Sequence, residues 1–271
     1  FSNAVILRAD AGNEAFGNIT FVDSGAVKIE TSANTDADGE LLIDGSTDGA
    51  VGGNLSITAT TGNITQGVAL AVTGTSTFVT SADDATITLT ETSNAFTGAL
   101  LITTNDSGTD TAGDVSIDGG TTGLIMGLST IDGDLTLLSG AAITDTGVAT
   151  VRGTLSVTTD ASDSTITLDQ LAVDGTIGIT NMNNVTVVND SGLNFAETTV
   201  GGTLTVASVA NNLTVGETIT GGSSNAQGVV VLGASGSTSV TYTKTKKTFT
   251  AGETITGGTS GNTRVIASSG V

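Results

Sequence analysis

One short phrase recurs along this chain and constrains its fold more than any bulk property. It runs glycine, a polar residue, an aliphatic residue, usually serine or threonine, then a second aliphatic residue. It reads GNLSIT from Gly53, GDVSID from Gly113, GDLTLL from Gly133, GTLSVT from Gly153, GTIGIT from Gly175 and GTLTVA from Gly202. The starts at Gly113, Gly133, Gly153 and Gly175 follow one another at nearly even spacing. Inside each phrase aliphatic and polar residues alternate with period two, the pattern of a strand with one buried face. Glycine with asparagine or aspartate punctuates the ends, where the chain must turn tightly.

A unit of about 20 residues holding two or three short strands is one coil of a parallel β-helix. A single coil cannot bury its apolar face, so coils must stack. The reading is therefore an all-β solenoid of about ten coils. Ladders of Leu55, Ile57, Leu135, Leu137, Leu155, Val157, Leu204 and Val206 are expected to fill its inside. A larger period lies above the coil: residues 64 to 91 align without gaps to residues 143 to 170 at an offset of 79. An all-β sandwich shares the alternation, but it does not require one phrase to return at so regular an interval.

The last part of the chain breaks this pattern. VGETITGG at 215 to 222 returns as AGETITGG at 251 to 258, an offset of 36, with SVTYTKTKKTFT between the copies. The expected division is a solenoid over residues 1–211 and a small two-copy β module over 212–271.

Composition fits stacked strands and narrows the chemistry. With 37% hydrophobic residues the chain is too apolar for the disordered class, and only 3% are aromatic, so its core must be aliphatic and thin. There is no proline to interrupt a hydrogen-bond ladder. The absence of cysteine and histidine removes disulfides, thiolate metal sites and the commonest general base. A formal net charge of -20 repels nucleic acid and anionic membranes. No apolar run is long enough to span a membrane. The chain opens on Phe1 rather than methionine, which suggests a processed product or a fragment.

Three acidic phrases invite a calcium reading: NTDADGE at 34 to 40, IDGSTDG at 43 to 49 and NDSGTDTAGD at 105 to 114. Closely spaced carboxylates around a glycine turn suit a hard cation, with Asp36, Asp38, Asp44 and Asp48 as candidate ligands. Asx turns at strand ends account for the same residues without metal. Apart from that ion no cofactor is expected. Paired carboxylates on a β-helix face also suit a glycosidase or lyase. The scattered Arg8, Lys28 and Arg152, the lack of tryptophan and the single Tyr242 argue against a sugar-processing groove, so no enzymatic activity is expected.

The sequence points to self-association. No segment carries the period of an amphipathic helix that would cap a solenoid end, and an uncapped end is a template for another strand. Ala4, Val5, Ile6 and Leu7 read either as the first coil or as a strand given to a neighbour. Lys244, Lys246 and Lys247 read either as charges that keep an edge strand from aggregating or as a docking strand for the acidic surface of another subunit.

GNLSITATTGNITQGVALAVTGTSTF and DATITLTETSNAFTGAL resemble the repeat regions of filamentous-haemagglutinin-like adhesins and autotransporter passengers, over roughly residues 40 to 210. That resemblance implies a right-handed parallel β-helix, secretion to the cell surface, and a role in attachment or fibre formation, with a surface glycan as a partner. Nothing matches that family's secretion domain or anchor. The GETITGG copies look instead like short β modules of phage virion and fibre proteins, which keeps a phage fibre protein with a receptor-binding C-terminal module as the alternative.

Overall fold

A computed structural model describes residues 5–8, 17–30, 40–44, 50–105, 107–108, 111–161, 163–181, 183–190, 192–196, 198–208, 213, 216–233, 240–259 and 263–265. Among them there are strands and turns and no helix. The chain divides into two compact units, one of Phe1–Val187 with Asn194–Thr205 and one of Val188–Leu193 with Val206–Val271.

The first unit is a parallel β-solenoid of about seven turns. Its coils place strands on three faces. The first face stacks Val27–Glu30, Ile64–Gln66, Ile87–Leu89, Val115–Asp118, Leu135–Ser139, Leu155–Thr159 and Ile177–Asn181. The third stacks Ile19–Asp23, Leu55–Ala59, Ser76–Asp83, Leu100–Asn105, Ser129–Ile131 and Ala149–Val151. Between them, in chain order, run Ala50–Val51, Ala71–Val72, Ala95–Phe96, Leu124–Met126 and Ile143–Asp145. Ile166–Val173 turns a corner: Ile166 pairs with Ile143 and Leu171 with Ala149.

Register follows the phrase directly. Val115 pairs with Leu135, Leu135 with Leu155, and Leu155 with Ile177. Ile117, Leu137, Val157 and Ile179 form the adjacent ladder two positions on. All of these side chains are buried to within 1% exposure, so period-two alternation sends alternate side chains into a dry core. Each fully buried aliphatic side chain contributes about 1.5–3 kcal/mol relative to exposure.

The glycine and the polar residue after it form one device. Asp134 donates its N–H to Asp114 Oδ1 at 2.9 Å and accepts that of Thr154 at its own Oδ1 at 2.6 Å. Asn18, Asn54, Asn63 and Asn184 accept the N–H of the coil above in the same way. All of these side chains except Asn63, which lies below Ala85, fold against the glycine that opens the next phrase. A Cβ on Gly133 would lie 2.5 Å from Asp114 Oδ1, and one on Gly153 would collide with Asp134 Oδ1. Gly-Asx is thus a stacking signal as well as a turn signal.

The larger duplication is not superimposed on the faces. Ile64–Gln66 lies on the first face, but its aligned copy Ile143–Asp145 lies on the second; Ser76–Asp83 lies on the third, but its copy Leu155–Thr159 lies on the first. The cause is one phrase that returns before a full turn is complete. Gly98 opens the third-face strand Leu100–Asn105 and Gly113 opens the first-face strand Val115–Asp118, and the step between them is shorter than that from Gly113 to Gly133. Such a step does not complete a coil, so the phrases from Gly113 to Gly175 start one face further on, while the strand of the Gly202 phrase, Leu204–Ser208, stacks on Val185–Asn189 and not on the first-face strand Ile177–Asn181.

Two expectations are corrected. The solenoid has about seven turns and not ten, because the earlier coils are longer: the steps from Ile64 to Ile87 and from Ile87 to Val115 both exceed that from Val115 to Leu135. Leu204 and Val206 are 41% and 44% exposed and not part of an inner ladder. Their strand, Leu204–Ser208, pairs only with Val185–Asn189, and no described strand lies beyond it to cover the apolar positions.

The second unit contains an antiparallel sheet in the order Val240–Lys246, Gln227–Gly233, Thr218–Gly221, Thr254–Gly257, Thr263–Val265. The two GETITGG copies pair with each other: Thr220 with Thr256, Ile219 with Gly257, and Gly221 with Ile255. Each residue thus faces the counterpart of its own mirror position, and a pseudo-two-fold axis passes between the two threonines. The flanking strands obey the same relation, Thr218 pairing with Val229 and Thr254 with Val265. Leu213, Ile219, Ala226, Val230, Phe249 and Ile255 form the core of this unit, and Tyr242 packs edge-on to Phe249 at 5.0 Å.

Candidate functional site

The basic residues singled out above lie on the rim of the antiparallel sheet. Lys244 and Lys246 belong to its edge strand Val240–Lys246, and Lys247 follows in a left-handed turn with φ of 56°. All three are exposed. Lys247 Nζ donates to the Ser224 carbonyl at 3.1 Å, and Lys244 Nζ to Thr248 Oγ1 at 3.4 Å. Arg264 falls in the opposite edge strand, so both rims carry a basic residue.

Beyond residue 211 the chain holds two acidic residues, and both are buried. Glu253 is 5% exposed and its carboxylate is surrounded by donors. Its Oε2 takes the N–H of Ser223 at 3.2 Å, the Ser223 hydroxyl at 3.1 Å and the N–H of Ser224 at 3.0 Å. Its Oε1 takes the Ser224 hydroxyl at 2.8 Å and the N–H of Thr250. Burial pushes its pKa up, but the donors from Ser224, Thr250 and Ser223 outweigh that and pull it down to about 2. The equivalent Glu217, 4% exposed, accepts the N–H of Thr259 at 3.1 Å. Each carboxylate thus grips the turn that follows the other copy's GETITGG strand. Sequence reasoning did not find this pair; the retention of a carboxylate in both copies of a Gly/Thr-rich phrase was the available signal.

Of the strand expected to meet a neighbour, Ala4 lies outside the described residues. Val5, Ile6 and Leu7 belong to Val5–Arg8, which pairs in parallel with Glu40–Asp44 and is outermost in the ten-stranded sheet. Of the calcium candidates, Asp36, Asp38 and Asp48 lie outside the described residues, and Asp44 ends the strand Glu40–Asp44. In the third acidic phrase Asn105 Nδ2 and the Ser107 N–H and hydroxyl all donate to Asp83. Among the described residues no group of three or more carboxylates is placed to hold a metal ion.

One carboxylate pair spans neighbouring coils. Asp145 accepts the N–H of Gln170 at 2.8 Å and of Asp169 at 3.2 Å. Burial, reinforced by the charge of Asp169, holds the Asp145 carboxyl above its usual range despite those two donors. Two shallow grooves line the corners. One of about 320 Å³ is bordered by Thr92, Asp118, Leu138 and Asp160. Another of about 330 Å³ is bordered by Phe96, Leu124, Ile125 and Thr144, with no strand pairing between Ala95–Phe96 and Leu124–Met126. Buried Asn94 ties the coils beside them, accepting from the Leu70 N–H at 2.8 Å and donating to the Asp118 carbonyl at 2.9 Å. No described helix is long and apolar enough to cross a membrane.

No curated protein and no solved structure matches the chain. One family profile does, described as repeats of unknown function, over residues 2–103 and 112–180. Its interruption at 104–111 falls between Gly98 and Gly113, where the phrase changes face. The match covers more than half of the sequence and most of the solenoid, and the chain belongs to the DUF5649 family of repeats of unknown function.

Proposed function

We propose that this protein is a structural subunit of an extracellular fibre or surface adhesin that associates head to tail through the strands at the ends of its solenoid. The observation that carries the reading is the edge strand Val5–Arg8, bonded on one side to Glu40–Asp44 and with no described strand on its other side. A heterologous contact at such an edge does not close, so it produces filaments. The repeat fold supports a structural or adhesive role, since its surface is a long array of Thr, Asn and Asp side chains on a rigid scaffold. Negative-stain microscopy of the purified protein tests it. Filaments that shorten when residues 1–10 are deleted are expected; dispersed monomers at every concentration and salt tried would sink the reading.

A phage fibre protein is the second reading, favoured by the pseudo-two-fold module with its paired GETITGG strands. In that case the C-terminal unit would recognise the receptor. A trimeric mass by native mass spectrometry, without filaments, would favour it.

A further inference from the structure

Charge is segregated along this chain. Only two of its 27 acidic residues, Glu217 and Glu253, lie beyond residue 211, against four of its seven basic ones, Lys244, Lys246, Lys247 and Arg264. Residues 1–211 therefore carry -22 and residues 212–271 carry +2, which together make the chain's -20. The structure sharpens the contrast. Both carboxylates beyond residue 211 are buried, at 4% and 5% exposure, against backbone and hydroxyl donors, whereas the three lysines stand exposed on and just after an edge strand. Every exposed charge described beyond residue 211 is positive.

We propose that the edge strand Val240–Lys246, with Lys247, is a docking surface for the acidic solenoid of a second copy of this chain. The inference rests on the self-association reading and adds a second contact to the end-to-end one. Blunting an edge against aggregation accounts for lysine on the strand. It does not account for a segment that keeps its acids buried and its lysines outside on a chain of -20. The counter-surface is on the solenoid, where Asp114, Asp134 and Asp174 are exposed at the corner that leads into the first face. Opposite fields of this size steer encounter and fix orientation, and screening confines them to about 8–10 Å at physiological salt.

Sedimentation velocity of the full chain at low and high salt tests the proposal. Association at low salt that weakens by about ten-fold or more in 0.5 M salt, and by as much in the Lys244→Glu, Lys246→Glu, Lys247→Glu variant, is expected. The Gln versions of the same three changes should fall between wild type and the Glu variant, with unchanged thermal melts. Wild-type association in the Glu variant overturns the docking surface while leaving end-to-end assembly standing. A monomer that merely expands with salt also overturns it, since the lysines would then engage their own chain. Failure of the wild type to associate at any salt overturns both this contact and the self-association reading.

Discussion

Asp134 Oδ1 accepts the backbone N–H of Thr154, one coil above it, at 2.6 Å, while its own N–H is held by Asp114 one coil below. A side chain here continues a hydrogen-bond column at the corner between the third and first faces, where the strands leave the ladder. Asp134→Ala should lower stability by roughly 1 kcal/mol, whereas Asp134→Asn, which keeps the acceptor, should stay close to wild type. Gly153→Ala should be worse, about 1–3 kcal/mol, because its Cβ collides with Asp134 Oδ1 and lies 2.7 Å from the Gly133 carbonyl oxygen. Chemical denaturation of the three variants measures this. A Gly153→Ala protein as stable as wild type would break the argument.

Ser76 occupies an inner position between Leu55 and Leu100 on the third face, and its hydroxyl is fully buried without a hydrogen-bond partner. Removing an unsatisfied buried hydroxyl relieves a penalty. Ser76→Ala is expected to raise stability by roughly 1 kcal/mol, visible as a higher denaturation midpoint with an unchanged slope. A loss of stability would mean that the hydroxyl contributes in a way its surroundings do not reveal.

Glu253 makes the stability of the C-terminal unit pH-dependent. Its ordinary pKa is 4.5 and its folded value is about 2, so the folded state favours the carboxylate. The stabilisation is therefore complete above about pH 4.5 and is lost as pH falls towards 2. Near-ultraviolet circular dichroism of Tyr242, which packs on Phe249 in this unit, follows the transition. Glu253→Gln should melt earlier at pH 7 and show a flatter response between pH 4.5 and 2; an identical pH profile would rule out this carboxylate as the cause.

Asp145 and Asp169 carry like charge on adjacent coils, and Asp169 contributes to the raised pKa of Asp145. The Asp169 side chain is exposed, so solvent screens much of the repulsion. Asp169→Asn should stabilise the solenoid at pH 7 by a few tenths of a kcal/mol, and the gain should fade as pH drops and Asp145 protonates. Thermal melts at pH 7 and pH 4 compare the two conditions. An equal gain at both would point away from charge repulsion.

Parallel stacking was legible because one phrase returns at nearly even spacing from Gly113 to Gly175, and its inner positions are the ladders Val115–Leu135–Leu155–Ile177 and Ile117–Leu137–Val157–Ile179. Pairing of the two GETITGG copies was not legible, because a two-copy repeat says that two hairpins exist and not which of their edges meet. The lysines could be named as exposed and edge-bound, yet the charge contrast around them depends on Glu217 and Glu253 being buried, and burial is not written in a GETITGG string.

By itself the sequence determined the even spacing from Gly113 to Gly175, the alternation of inner and outer side chains in those phrases, and the Gly-Asx corners, since all of these follow from local alternation and the size of a side chain. Only the tertiary structure decided which face each phrase occupies. A coil is cyclic, so a phrase is equally at home on any of three faces, and the short step from Gly98 to Gly113 sets the choice for the phrases from Gly113 to Gly175. It also decided that Leu204 and Val206, in the same phrase as Leu155 and Val157, are left exposed, because burial depends on the coils that surround a strand and not on the strand's own pattern.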